Sequence, residues 1–397
     1  MTSQSDHLIQ ILPPKEGDLN TYLYFDYNAT TPIDPSAREA MLPFLTENFG
    51  NPSNLYELGK RSAKAIAKAR EQAANLLGAQ PSEIIFNSGG TESITTAILS
   101  ALAIDPKKRH IITSTVEHSA TIALCRDLEQ RGYKVTWLPV DTQGNLSLLD
   151  LEQAITSATA IVSLLWANNE TGVLFPAEKI AAITESKGVP LHLDAVQAVG
   201  KVPIDLSQIT VHYLSLSGHK LYAPKGVGAL YVHRHALYTP LLRGSQEDQR
   251  RGGTQNVASI VALGQAAFIA YNQQSSEPQR QAVLRDRLET ILLNTLEDVH
   301  LNGNGKERLP NTSNLTFKGI EAESALFLFD QEGLCCSSGS ACSSGSTKPS
   351  HVLTSMGRSR TEAMASLRFS IGRFTTEAEI DRALEIITKV VKKLRHL

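Results

Sequence analysis

The residue best placed for covalent chemistry is Lys220, in the stretch SLSGHKLYAPKG (Ser215–Gly226). Val211 to Leu216 are mostly apolar and β-leaning, and Ser217, Gly218 and His219 deliver the lysine just past the C-terminal end of that strand. Open α/β sheets place their ligands at that end. An amine held there, with its charge partly desolvated, can attack a carbonyl and form a Schiff base. A second element is the turn Asn87–Gly90 followed by Thr91. A glycine turn feeding a helix offers backbone N–H groups and a positive dipole end, and both suit a phosphate. The third element is a thiol, Cys342, in the middle of GLCCSSGSACSSGSTKPS (Gly333–Ser350). That stretch has almost no large apolar group to bury, so it reads as a mobile surface loop. Its cysteine is then either an ordinary small residue or a reactive thiol. Each of these elements alone has an ordinary explanation: a surface charge, a strand-to-helix turn, a loop residue.

The elements that must position these groups alternate along the chain. Ile84–Phe86, His110–Ser114, Lys134–Val140, Ala160–Trp166, Val189–Leu193 and Gly228–His233 read as further strands. Ser62–Leu77, Thr91–Ala103, Ser119–Arg131 and Pro176–Ser186 read as helices. This alternation predicts an α/β fold with a mostly parallel sheet covered on both faces. Thr91, His118, Asn169, Asp194 with Gln197, and His219 with Lys220 all follow strand C-terminal ends, which lie along one edge of such a sheet. Singly, His118 reads as a helix-entry histidine, Asn169 as a turn residue and Asp194 as a helix cap. Their convergence points to one site. The turn before Thr91 is not GxxxxGK[ST], and the GxG at Gly226 and Gly228 lacks a third glycine, so neither nucleotide-binding loop is present there.

Beyond Tyr271 the pattern changes. Ser259–Tyr271 and Gln279–Leu296 read as helices separated by the polar stretch Asn272–Pro278, where a larger domain gives way to a smaller one. Asn314–Phe317 and Leu367–Ser370 read as strands, and Ala322–Phe329 and Glu377–Leu394 as helices. A chain of 397 residues fits about two domains. Its formal net charge of -2 gives no general pull toward nucleic acid or an anionic membrane. No apolar run approaches the ~20 residues of a membrane helix. The first 20 residues are polar, broken by Pro13 and Pro14, and lack the basic and apolar parts of a secretory signal; they read as a loose tail. The four cysteines, Cys125, Cys335, Cys336 and Cys342, have no zinc-like spacing, so a cytoplasmic protein with reduced thiols and no bound metal is expected.

Taken together, the segments SLSGHKLYAPKGVGALY, LHLDAVQAVGK, NNETG, RGGTQN (Arg251–Asn256), SSGSAC (Ser337–Cys342) and LRFSIGRFT (Leu367–Thr375) carry a resemblance. From about Tyr24 to Thr376 the chain resembles the pyridoxal-phosphate-dependent cysteine desulfurases of the class V aminotransferase family, in their long-loop, NifS/IscS-like subgroup. The resemblance implies fold type I of the pyridoxal-phosphate enzymes, with a seven-stranded, mostly parallel sheet in the large domain and a smaller α+β domain. It implies an N-terminal segment, 1–32, associated with the small domain, a cofactor domain at 33–272, and a small domain at 273–397 that carries the cysteine loop 333–350. Lys220 would bind pyridoxal 5'-phosphate covalently and Asp194 would pair with its pyridine nitrogen. Gln197 and Asn169 would contact its phenolic oxygen, and His118 would stack on its ring. Gly90, Thr91, Ser217 and His219 would hold the phosphate, with Thr254 reaching in from the second subunit of a homodimer. Arg368, helped by Asn169, would grip the substrate carboxylate, and Cys342 would accept the sulfur.

The implied reaction converts L-cysteine to L-alanine and leaves a persulfide on Cys342, which passes its sulfur to an acceptor such as an iron–sulfur scaffold protein. Lys220 would move the substrate's Cα proton, and His118 would take the thiol proton of Cys342. Cys335 and Cys336 are near enough in sequence to take sulfur from Cys342 or to form a disulfide with it. Other readings keep the cofactor and change the chemistry: a selenocysteine lyase, a cystine C–S lyase or an aminotransferase. A non-catalytic sulfur-relay subunit is a further alternative. The acceptor, the iron–sulfur pathway and the preference between cysteine and selenocysteine are not fixed by the sequence.

Overall fold

The computed structural model describes residues 22–338 and 348–396. Its strands are β1 (Leu23–Tyr24), β2 (Ile84–Asn87), β3 (His110–Ser114), β4 (Lys134–Leu138), β5 (Thr159–Leu165), β6 (Leu191–Asp194), β7 (Tyr213–Ser217), β8 (Gly228–Val232), β9 (Val299–Leu301), β10 (Thr312–Phe317), β11 (Leu334–Cys335) and β12 (Ser366–Ser370). Seven of them form the main sheet in the order β2-β8-β7-β6-β5-β3-β4. β8 alone runs against its two neighbours, and the remaining pairings are parallel. The predicted mostly parallel sheet is therefore present, with one reversed strand.

Alternation along the strands splits their side chains between two faces. Ile85, Ile111, Ile161 and Leu230 join one buried cluster, while Phe86, Ile112, Val162 and Tyr231 join another. A period of two does this whenever both faces are covered. The helix Glu57–Leu77 covers one face with Ile66, Ala69, Ala73, Leu76 and Leu77, and ends where Gly78 turns left-handed at φ 64. A third cluster joins Leu23 and Phe25 to residues from Leu284 to Val391, around the sheet β12-β10-β9. None of the described helices is long and apolar enough to cross a membrane.

Several expectations need correction. Short helices at Pro35–Met41 and Leu148–Ala154, capped by Asp34 and Ser147, fill stretches without a strong apolar period. The break between the two long helices is confined to 274–276, because Pro278 is tolerated in the first turn of the helix Glu277–Thr295. The stretch 333–350 is not a loose loop at its described ends. β11 pairs in parallel with β1, and Leu334 is buried. Ser337 exchanges two backbone hydrogen bonds with Arg368. Ser350 caps the helix His351–Ser355. Backbone pairing anchors these ends where side-chain composition predicted none. Cys342 lies outside the described residues.

Candidate active site

The strand ends build one cavity of about 380 Å³, lined by Gly90, Thr91, His118, Asn169, Asp194, Gln197, Ser217, His219, Lys220 and Arg368 among others. The sequence-predicted residues of the sheet edge are thus brought together, and Arg368 joins them from β12. Thr254 is not among them. It is exposed and lines a separate small cavity with Phe86, Glu247 and Gln255. The turn preceding it is strained: Glu247, Asp248 and Gln249 all have positive φ, at 49°, 53° and 64°. Glu247 holds that turn, with its buried carboxylate accepting from Arg70, from Phe86 N and from Gln255.

At one end of the cavity, β2 runs into the helix Gly90–Ile104. Gly89, its N-cap, has φ 145° and offers no side-chain cap. A Cβ on Gly90 would come within 2.7 Å of Val196 Cγ2. The backbone N–H groups at this helix start therefore face a space that only glycine leaves clear. Ser217 and His219 stand opposite, at the end of β7, and line the adjoining opening with Thr91. Burial, reinforced by Lys220, Lys225 and Lys201, pushes His219 down to about 4, so its ring is neutral at pH 7. Its Nδ1 contacts Thr30 Oγ1 at 3.2 Å. Helix N–H groups, two hydroxyls and a neutral imidazole are a phosphate-holding set.

The other end carries full charges. Asp194 ends β6, and its Oδ1 accepts from Val196 N at 3.0 Å. Burial raises its pKa, and the charges of His118 and Lys220 pull it back. A buried carboxylate of this kind suits a protonated ring nitrogen. Lys220 Nζ donates to the carbonyls of Asn28 and Ala29, each at 2.6 Å. Gln197 Nε2 donates to the same Asn28 carbonyl at 2.9 Å. Arg368 is 1% exposed. It donates to Asn169 O at 2.8 Å and to Asp26 Oδ1 at 2.6 Å, and its fork has further N–H groups for a carboxylate. Asn169 owes its place to Asn168, whose side-chain oxygen ties the turn through Glu170 N and Thr171 N.

His118 caps the helix Ser119–Gln130, with Nδ1 accepting from Ala120 N at 3.2 Å. A nitrogen that accepts there carries no proton, so whenever the ring is neutral its proton sits on Nε2. Next to it, Glu117 is fully buried. Its Oε1 accepts from Ser114 and Leu165 N, and burial pushes it up to about 8. Burial also raises the thiols of Cys335 and, far more, Cys336, which disfavours the reactive thiolate. All three described cysteines are free.

Five residues at or behind the site escaped sequence reasoning: Asp26, Asn28, Glu117, Glu170 and Lys201. Asn28 is the hub. Besides accepting from Lys220 and Gln197, it donates to Asn169 O and Thr312 Oγ1 and accepts from Asn311. Glu170 accepts from Ser350 Oγ at 2.5 Å, and His351 Nε2 contacts Glu117 O at 3.0 Å. The chain re-entering after the cysteine segment is thus fastened to turns that bear Asn169 and His118.

The chain matches the family described as aminotransferase class-V over residues 23–383. It is 51% identical over 374 residues to cysteine desulfurase 2 of Trichormus variabilis, covering 94% of each chain. It is 49% identical over 377 residues to cysteine desulfurase NifS of Azotobacter vinelandii, again covering 94% of each. Among solved structures, a NifS-like protein matches with a TM-score of 0.88 at 35% identity, over 95% of this chain and 100% of that one. A structure of SspA in complex with cysteine matches with a TM-score of 0.78 at 35% identity, over 89% of this chain and 99% of that one. The chain belongs to the class-V aminotransferases and, within them, to the cysteine desulfurases.

Proposed function

We propose that this protein is a pyridoxal-phosphate-dependent cysteine desulfurase that turns L-cysteine into L-alanine and takes the sulfur as a persulfide on Cys342. The observation that carries the reading is a single cavity whose ends differ in kind. One end is a helix N-terminus with Thr91, Ser217 and His219, and the other joins Asp194, Lys220 and Arg368. The residues fit the cofactor: the first set holds its phosphate, Asp194 pairs with its ring nitrogen, and Gln197 and Asn169 face its phenolic oxygen. When bound, pyridoxal phosphate supplies an electron sink for the carbon that bears the substrate's amino group.

The chain's own residues do the rest. Arg368 binds the substrate carboxylate, while Asp26 and the Asn169 carbonyl fix the plane of its guanidinium. Lys220 Nζ would hold the cofactor and would remove and return the substrate's Cα proton. His118 would stack on the cofactor ring. The thiolate of Cys342 attacks the substrate's sulfur, and the C–S bond breaks. One sulfur atom moves and the hydrogens balance, so no oxidant or reductant is consumed. Cys342 is five residues beyond Ser337, whose backbone is bonded to that of Arg368. A chain of that length reaches up to about 17 Å, and Arg368, the backbone partner of Ser337, lines the cavity.

A cytoplasmic homodimer fits this reading, with Thr254 completing the partner's phosphate site. The sulfur then passes to an acceptor such as an iron–sulfur scaffold protein. In the same reading, residues 33–272 hold the cofactor, and 273–397 with the N-terminal segment form the smaller unit that carries the cysteine. The deciding experiment is a mass measurement of the peptide bearing Cys342 after incubation with L-cysteine. The expected result is one added sulfur atom, with one alanine formed. In Cys342→Ser, cofactor absorbance stays and persulfide and sustained alanine formation vanish; normal turnover in that variant refutes the role of Cys342.

A further inference from the structure

Lys201 is an amine in a place that rarely holds one. It is 8% exposed, and the charges that act on it, Lys220 and Arg368, have its own sign. Lysines are seldom buried unless a carboxylate pairs with them. Lys201 instead points its Nζ at two side-chain oxygens: Gln197 Oε1 at 2.5 Å and Asn28 Oδ1 at 3.5 Å. It does not line the main cavity. It borders a small cavity of about 20 Å³ behind Lys220, with Tyr27, Gln281 and Asn311.

These bonds fix which way the Gln197 amide faces. Lys201 Nζ donates to the amide oxygen. On the other side Gln197 Nε2 meets the Asn28 carbonyl, which only accepts. A flipped amide would set two carbonyl oxygens against each other there. Nε2 carries two N–H groups, and Asn28 uses one. The other is left for an acceptor in the cavity that Gln197 lines.

We propose that Lys201 is a positioning residue that locks Gln197 as a hydrogen-bond donor toward an oxygen of the bound cofactor ring. This rests on the reading that Gln197 contacts bound pyridoxal phosphate. Without Lys201 the amide keeps only its bond to the Asn28 carbonyl and is held less firmly as a donor toward the cofactor. The same lock keeps the Asn28 carbonyl, which also receives Lys220, in place.

The test is a double-mutant cycle read as the dissociation constant of pyridoxal phosphate from the full-length protein, with the absorbance maximum of the bound cofactor as a second readout. Lys201→Met should weaken binding about tenfold and shift the maximum. Gln197→Ala should weaken it by a similar factor. The double variant should bind no worse than Gln197→Ala alone. If the two effects multiply, or if Lys201→Met binds normally, Lys201 does not act through Gln197 and the proposal is overturned. Normal binding by Gln197→Ala removes the cofactor contact itself, a failure of the underlying reading that also ends this one. If Lys201→Met does not fold, Lys201→Gln carries the same cycle.

Discussion

The two ends of the cavity hold their ligand by different physics. At the phosphate end, Gly90, Thr91 and His219 are partly or largely open, and the donors are backbone dipoles, hydroxyls and an uncharged ring. At the ring end, Asp194 is 6% exposed and Arg368 1%. Burying ions is expensive unless each has partners. Arg368 therefore carries Asp26, Asp194 takes Val196 N, and Lys220 rests on two carbonyls. Full charges stand at the buried end of the cavity, and dipoles at the open one.

Substitutions at the two ends should therefore differ in size and in the constant they alter. The largest effect belongs to Asp194→Asn. A carboxylate about 4 Å from a ring cation is worth ~4 kcal/mol at an effective dielectric near 20, so kcat should fall about a thousandfold while cofactor stays bound. Steady-state kinetics at saturating pyridoxal phosphate would reveal it. Arg368→Lys replaces a planar fork by a point charge, and KM for L-cysteine should rise about 10- to 100-fold with a smaller change in kcat. A larger loss of kcat than of KM would move Arg368 from binding into the chemical step. Thr91→Ala, at the dipolar end, should weaken cofactor binding by about tenfold or less and leave kcat intact once cofactor saturates.

A separate effect is a pH slope. The folded protein keeps Glu117 protonated up to about 8, while the unfolded chain releases that proton near 4.5. The unfolded state thus binds fewer protons between those limits, so this contribution to stability is whole below 4.5 and is lost as pH rises through 8. Glu117→Gln has no such titration. Urea midpoints at pH 5 and pH 8.5 should draw apart in the parent protein by more than in the variant. Equal slopes would mean that Glu117 is already ionised in the fold.

The sheet edge was legible because its signals are local. The apolar run before Ser217 and the glycines before Thr91 each announce a strand end, and the strand–helix alternation aligns those ends. Arg368 was legible only through resemblance, since nothing in LRFSIGRFT alone places an arginine in a cavity 148 residues from Lys220. The supporting residues were hidden for a different reason. Asp26 meets Arg368 across 342 positions, and Ser350 meets Glu170 across 180. No periodicity reports a pairing of that span, and a buried lysine such as Lys201 looks like any surface lysine until its neighbours are known.

The reversed strand β8 has a consequence for evolution and design. Its first residue, Gly228, is paired with Asn87 on one side and with Ser217 on the other. A side chain there would collide with Gly89 Cα and Leu216 O, both 2.6 Å away. The gap between the glycine turn before Thr91 and the strand end that bears Lys220 is therefore ruled by ladder spacing, not by pliable connections. Altering loops can change what this scaffold accepts; changing that interval would mean rebuilding the sheet.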